Sequence, residues 1–168
     1  MVAREIERFE FVPEAPERVL EWMDRLSAAA DGWINLMPGV DEAEAEQTTA
    51  PGAFAALFGP SQASVTMCTW LAARRGRRSG ERPTVGIVHP RGRFAVRQLA
   101  ALGVALPDGW VVSQDHARRG LIVVAPPDAA HAVVLTWALD AGAALAMVPL
   151  TGTWQAEVHQ PAGSQRRR

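Results

Sequence analysis

The feature that most constrains the fold is a weak internal repeat in the second half of the chain. Residues 65–105 have the pattern strand, strand, helix, and residues 109–145 repeat that order before a final strand. In each repeat a similar tetrapeptide, IVHP at 87–90 or VVAP at 123–126, comes just before the helix. The spacing of 36 residues occurs only twice, which excludes a solenoid and favours a pseudo-duplicated sandwich.

The predicted strands of the repeat are rich in β-branched and aromatic residues, as half-buried strands are. They are VTMCTWLAA (65–73), TVGIVHP (84–90), GWVVSQDHA (109–117) and GLIVVAP (120–126), and the helices are 93–105 and 128–145. We therefore predict an α+β fold, an antiparallel sheet with helices mainly on one face. The order favours a ferredoxin-like, pseudo-duplicated ββα-ββα-β core. One or two strands within 147–159 complete this core.

The first 46 residues form an acidic segment with 12 acidic residues and 4 arginines, whereas the rest of the chain has 13 arginines and 6 acidic residues. Apolar residues at helical spacing predict an amphipathic helix within 16–32, followed by a short strand at 33–40. Residues 1–13 are an edge strand or a tethered arm. We expect this segment to pack over the basic remainder, because the net charge of the whole chain is only −1.

The apolar content sets the number of domains. Of the residues counted as hydrophobic 30 are alanine, and setting aside these and the single cysteine leaves 50 bulky apolar residues. That number supports one globular domain but not two. We predict a single domain over residues 1–160, with the α+β core at 64–160 and a disordered tail at 161–168. Six tryptophans in a chain without tyrosine are expected to fill this core.

Several function classes are excluded or disfavoured by what the sequence lacks. A single cysteine excludes an intramolecular disulfide and any CxxC site. The four histidines have no metal-binding spacing, and no glycine-rich phosphate loop is present, so we expect no metal and no cofactor. The N-terminus has no apolar signal region, and charged residues and prolines interrupt the most apolar stretch. These features predict a cytoplasmic protein without membrane contact.

Candidate catalytic residues cluster near two predicted strand ends. An adjacent Asp115 and His116 suggest a base with its orienting carboxylate, and His89 ends a neighbouring strand. In a regular strand Asp115 and His116 point to opposite faces, so only one of them would join His89. Residues expected to hold an anionic ligand beside them are Arg91, Arg118, Arg119 and Trp110. The alternative is a polar hairpin tip in which Asp115 pairs with one of the arginines.

An arginine-rich connector lies between the strands 65–73 and 84–90. Its candidate phosphate-binding residues are Arg74, Arg75, Arg77 and Arg78. No aromatic residue interleaves these arginines, and the sequence pI is about 6.4. A solvated loop that keeps the hairpin soluble is therefore favoured over a nucleic-acid interface.

Three hypotheses of function follow. The leading one is a non-catalytic module that binds a protein or a small ligand and self-associates, its partner being another protein or a second copy. The second is a small enzyme that acts on an anionic substrate through His89, Asp115, His116 and the nearby arginines. The third is nucleic-acid binding through the arginine-rich connector.

Overall fold

A computed structural model describes residues 5–41, 43, 65–73 and 82–160. This part of the chain contains seven strands and three helices. In chain order they are β1 (Glu5–Phe11), α1 (Glu17–Ala29), β2 (Trp33–Val40), β3 (Met67–Leu71), β4 (Thr84–Val88), α2 (Ala95–Ala101), β5 (Val111–His116), β6 (Gly120–Val124), α3 (His131–Leu145) and β7 (Leu150–Gln160). The segments predicted as strands and helices in the repeat all form, with shorter bounds, and the last predicted segment is one strand.

The strands form one antiparallel sheet, and along most of them buried residues alternate with more exposed ones. In β2, for example, Ile34 and Leu36 are buried while Trp33 and Asn35 are half-buried. The buried residues of the neighbouring strands lie on the same side, since Ile34 pairs with Val158 of β7. The sheet therefore has one face that contributes to the core and one face that no described helix covers.

All three helices lie on the core face of the sheet. The central helix α3 contacts β2, β3 and β4, with α1 on one side of it and α2 on the other. Helix α1 also contacts β7, and α2 contacts β5 and β6. The α+β class with an antiparallel sheet is thus confirmed. No helix in the described ranges is long and apolar enough to cross a membrane.

The strand order is β1-β7-β2-β3-β4-β6-β5, and it differs from the ferredoxin-like order. If β4-α2-β5-β6-α3-β7 were a ferredoxin-like unit, its last strand, β7, would lie beside its first, β4. Instead β3 occupies that place, and β7 lies between β1 and β2. The ferredoxin-like ββα duplication is therefore not confirmed. The physical reason is strand length, because β7 pairs with β1 along seven residues, whereas β4 is only five residues long.

A different arrangement does occur twice. Strands β1 and β2 are both antiparallel to β7, so they are parallel to each other, with α1 as the crossover and β7 inserted between them. Strands β4 and β5 are related in the same way, with α2 as the crossover and β6 inserted. Each unit is a split βαβ.

Candidate functional site

The structure places two of the predicted catalytic residues on the core side of the sheet. Asp115 lies on β5, and its Oδ1 and Oδ2 accept hydrogen bonds from the backbone N–H groups of Ala95 (3.0 Å) and Val96 (3.2 Å). These donors open α2, whose own N-cap residue, Phe94, provides no side-chain cap. Asp115 therefore caps a helix from a neighbouring strand.

His89 follows β4 and is buried, with 7% of its surface exposed. Within the described part of the chain neither ring nitrogen has a hydrogen-bond partner. Burial lowers the pKa of His89, and the negative charge of Asp115 opposes this shift only in part. Asp115 thus acts on His89 through its charge, but the imidazole of His89 stays neutral and buried.

His116 has a separate role at the turn between β5 and β6. Its Nδ1 accepts hydrogen bonds from the backbone N–H groups of Arg118 (3.1 Å) and Arg119 (3.3 Å). The side chains of these two arginines are exposed and make no ion pair with a described residue. Arg91 donates to the carbonyl oxygen of Ala146 at 3.2 Å. The predicted cluster is therefore spread over a helix cap, a turn and a loop.

The tryptophans are core residues, as predicted. Trp110, a candidate ligand contact, is buried and packs on Trp137, with ring centroids 5.2 Å apart. Five of the six are buried, and the remaining one, Trp33, is half-buried on the uncovered face.

The candidate nucleic-acid residues Arg74, Arg75, Arg77 and Arg78 lie outside the described residues, and so does the tail at 161–168.

A polar network on the uncovered sheet face was not anticipated from the sequence. Glu157 accepts a hydrogen bond from Arg8 Nε at 2.6 Å, and its other carboxylate oxygen lies 2.6 Å from Nε2 of His159. The ring of His159 stacks on Trp33 with centroids 4.6 Å apart. Asn35 lies against the same imidazole nitrogen at 3.4 Å. The available signal was the spacing Glu-x-His within a strand, which puts both side chains on one face.

The network has a clear electrostatic character. The hydrogen bond from Arg8 lowers the pKa of Glu157 most, burial opposes the shift, and the contact with His159 lowers it further. Glu157 is therefore an anion held between two donors, the Arg8 guanidinium and the His159 imidazole. The other arginines in described ion pairs are Arg18 and Arg25, which also belong to the N-terminal segment. None of these arginine pairs joins an acidic residue of the N-terminal segment to an arginine of the remainder, whereas Asp24 of this segment lies 2.7 Å from His131.

The two outer strands of the sheet present different edges. β5 has β6 on one side and no described strand on the other, and its Val111 and Val112 are 51% and 39% exposed. β1, at the opposite edge, has the sequence EIERFEF and alternates charged with apolar residues. Charged residues on an edge strand oppose strand addition, whereas exposed valines favour it. Of the two edges, β5 is therefore the one more prone to pair with a strand of another chain.

Comparison with protein-family models, curated proteins and solved structures gives no match. Among the described residues no group of three or more histidine, cysteine or acidic side chains could hold a metal ion. The fold and these surfaces define an α+β protein with a seven-stranded antiparallel sheet, one face of which is covered by helices.

Proposed function

We propose that this protein is a protein-interaction module that self-associates by adding β5 of one copy to β5 of a second. The observation that carries the proposal is the outer edge of β5, which pairs with no described strand and on which Val111 and Val112 expose about half and two-fifths of their surface. The backbone groups along such an edge are free to pair with a strand of a partner.

Neighbouring apolar surface supports the same edge. Phe94 is 66% exposed and directly precedes Ala95, whose N–H is bonded to Asp115 of β5. The aromatic ring is therefore placed near the end of the strand, where a second copy would contact it. Aromatic side chains of this kind supply much of the free energy of binding at interfaces.

The difference between the two edges favours a closed dimer. Pairing of β5 with β5 across a twofold axis uses one surface twice and leaves nothing further to bind. Pairing of β5 with β1 would continue into a filament, but the charges of β1 oppose it. A β-bulge between Val112 and Gln114 shortens the regular part of the edge, so we expect a dissociation constant in the micromolar range.

Sedimentation equilibrium over a micromolar concentration series tests the proposal. Val112→Lys is expected to weaken the dimer at least about tenfold, because a charge would be buried at the strand junction. Ile6→Lys on β1 is the matched control, since Ile6 is 44% exposed on the opposite edge, and it should dimerise as the unaltered chain does. A chain that stays monomeric throughout, or equal weakening by both variants, contradicts the proposal.

The other two hypotheses have less support. Asp115 and His116 already accept backbone hydrogen bonds and His89 is buried, which argues against an enzyme built on these three residues. An anionic ligand held by Arg118 and Arg119 remains a prediction. Nucleic-acid binding through the arginine-rich connector also remains a prediction, and salt-sensitive retention of DNA or RNA on a filter would test it.

A further inference from the structure

A second cluster of side chains, distinct from the β5 edge, joins α1 to the start of α3. Nδ1 of His131 lies 2.7 Å from Oδ1 of Asp24, and Nε2 of the same ring lies 3.1 Å from Oγ of Ser27. Asp24 and Ser27 are three residues apart on α1, so they share the helix face that meets α3. Ser, His and Asp in this arrangement correspond to a nucleophile, its base and the carboxylate that orients the base.

For a neutral imidazole the contacts of His131 determine which ring nitrogen carries the proton. An ionised carboxylate accepts only, so Nδ1 of a neutral His131 carries the proton that is donated to Asp24. Nε2 then has a free lone pair, and the Ser27 hydroxyl donates to it. The His131 ring is also held by an edge-on contact with Trp70, whose centroid is 5.6 Å away. The imidazole is thus oriented from three sides, with its basic nitrogen directed at the serine hydroxyl.

This cluster lines a cavity of about 540 Å³. Besides Asp24, Ser27 and His131, the wall includes Ala130 and Asp128, and no described arginine contributes to it. No described side chain caps the first-turn N–H groups of α3, a helix of 15 residues that begins at His131. Those donors and the positive end of the helix dipole lie beside the cavity, where they would stabilise a developing oxyanion.

We propose that Ser27, His131 and Asp24 form a hydrolytic centre for small esters. The Ser27 oxygen attacks the carbonyl carbon while its proton passes to Nε2 of His131, and the carbonyl π electrons move to oxygen. When the carbonyl re-forms, the bond to the leaving alcohol breaks, and His131 returns the proton to that oxygen. Water then attacks the acyl-serine, gives its proton to Nε2, and the Ser27 oxygen leaves and takes that proton back. Two aspartates in the wall exclude anions, so the substrate is an uncharged or cationic acyl ester.

Covalent labelling tests the nucleophile without any altered chain. An alkyl fluorophosphonate incubated with the full-length protein is expected to add its phosphonyl group to Ser27, with loss of fluoride, and peptide mass mapping locates the adduct. Labelling of Ser27 above that of every other serine in the chain supports the proposal. An unmodified Ser27 overturns it.

Ester hydrolysis provides the second readout, with p-nitrophenyl acetate as the probe. Ser27→Ala and His131→Gln are each expected to lower kcat/KM by at least about 100-fold, since general base catalysis contributes that much. Thr136→Ala, which removes an exposed hydroxyl farther along α3 and away from the cavity, should retain the full rate. Asp24 is a positioning residue, 74% exposed, so Asp24→Asn is expected to lower kcat about tenfold with KM unchanged. A Ser27→Ala chain that folds, as judged by its circular dichroism, and hydrolyses like the unaltered chain overturns the proposal.

Discussion

At the scale of single residues, His89 is buried and has no hydrogen-bond partner among the described residues. Such burial costs free energy, because the ring nitrogens lose their hydrogen bonds with water and gain none from the described part of the chain. The lowered pKa has a consequence for the pH dependence of folding. As the pH falls through the pKa of the unfolded chain, that chain takes up a proton more readily than the folded one, so the fold loses stability.

We therefore expect His89→Leu to stabilise the protein by about 1 kcal/mol near neutral pH, since an apolar side chain of similar size needs no partner. The gain should be larger at about pH 5, where protonation of His89 destabilises the unaltered chain. Urea unfolding at the two pH values measures both effects. Val88→Leu, an exposed neighbour without a titratable group, is the control and should leave the pH dependence unchanged. A loss of stability in His89→Leu would show that His89 has a polar partner in solution.

Single side chains also show which site features were accessible from the sequence. The alternation of a strand correctly separated Asp115 from His116, because that rule depends only on backbone geometry. The partners that each finds, the first turn of α2 and the turn after β5, depend on where distant elements pack. Ser27, Asp24 and His131 were missed for the same reason, since His131 is 104 residues from Ser27 along the chain.

At the scale of elements, α3 shows how closely a helix packs on this sheet. Its apolar surface is broad, and Gly142 faces β3 and β7. A methyl group at Gly142 would lie 2.7 Å from Sγ of Cys68 and 2.9 Å from Cη2 of Trp154. Burial raises the pKa of Cys68 to about 12, so the thiol stays protonated and donates to the carbonyl oxygen of Ala138 at 3.3 Å. Contacts with β3 and β7 thus fix the position of α3.

Gly142→Ala is therefore expected to destabilise the protein by about 1–3 kcal/mol, because overpacking outweighs the better helix propensity of alanine. Ala143→Gly is the matched control, since Ala143 is exposed on the same helix and its substitution reports propensity alone, at a cost of about 1 kcal/mol. Thermal unfolding of both variants measures the difference. A Gly142→Ala chain more stable than the unaltered one would mean that α3 moves away from the sheet at little cost.

At the scale of the whole molecule, the sequence predicts the elements far better than their order. The strands around Val85 and Val123, and the helices that follow them, could be located because periodicity and turn residues are local signals. The order of the sheet depends on which edges meet, and the alternation of β7 shows only which of its side chains are buried. The first and last strands, β1 and β7, pair across almost the full length of the chain. No local pattern encodes that contact.

The place of β7 inside the sheet yields a prediction for the whole fold. Gln155 of β7 pairs with Glu10 of β1 on one side and with Met37 of β2 on the other, whereas Glu10 lies on an outer strand. Both side chains are exposed, so proline at either position tests the backbone and little else. Gln155→Pro is expected to lower the free energy of unfolding by about 3 kcal/mol or more, because in the described sheet β7 is the strand that hydrogen-bonds to both β1 and β2. Glu10→Pro should weaken only the outer strand β1, and in the same urea titration it should lower the free energy of unfolding by clearly less. Equal losses would mean that β1 stabilises the sheet as strongly as the strand that links it to β2.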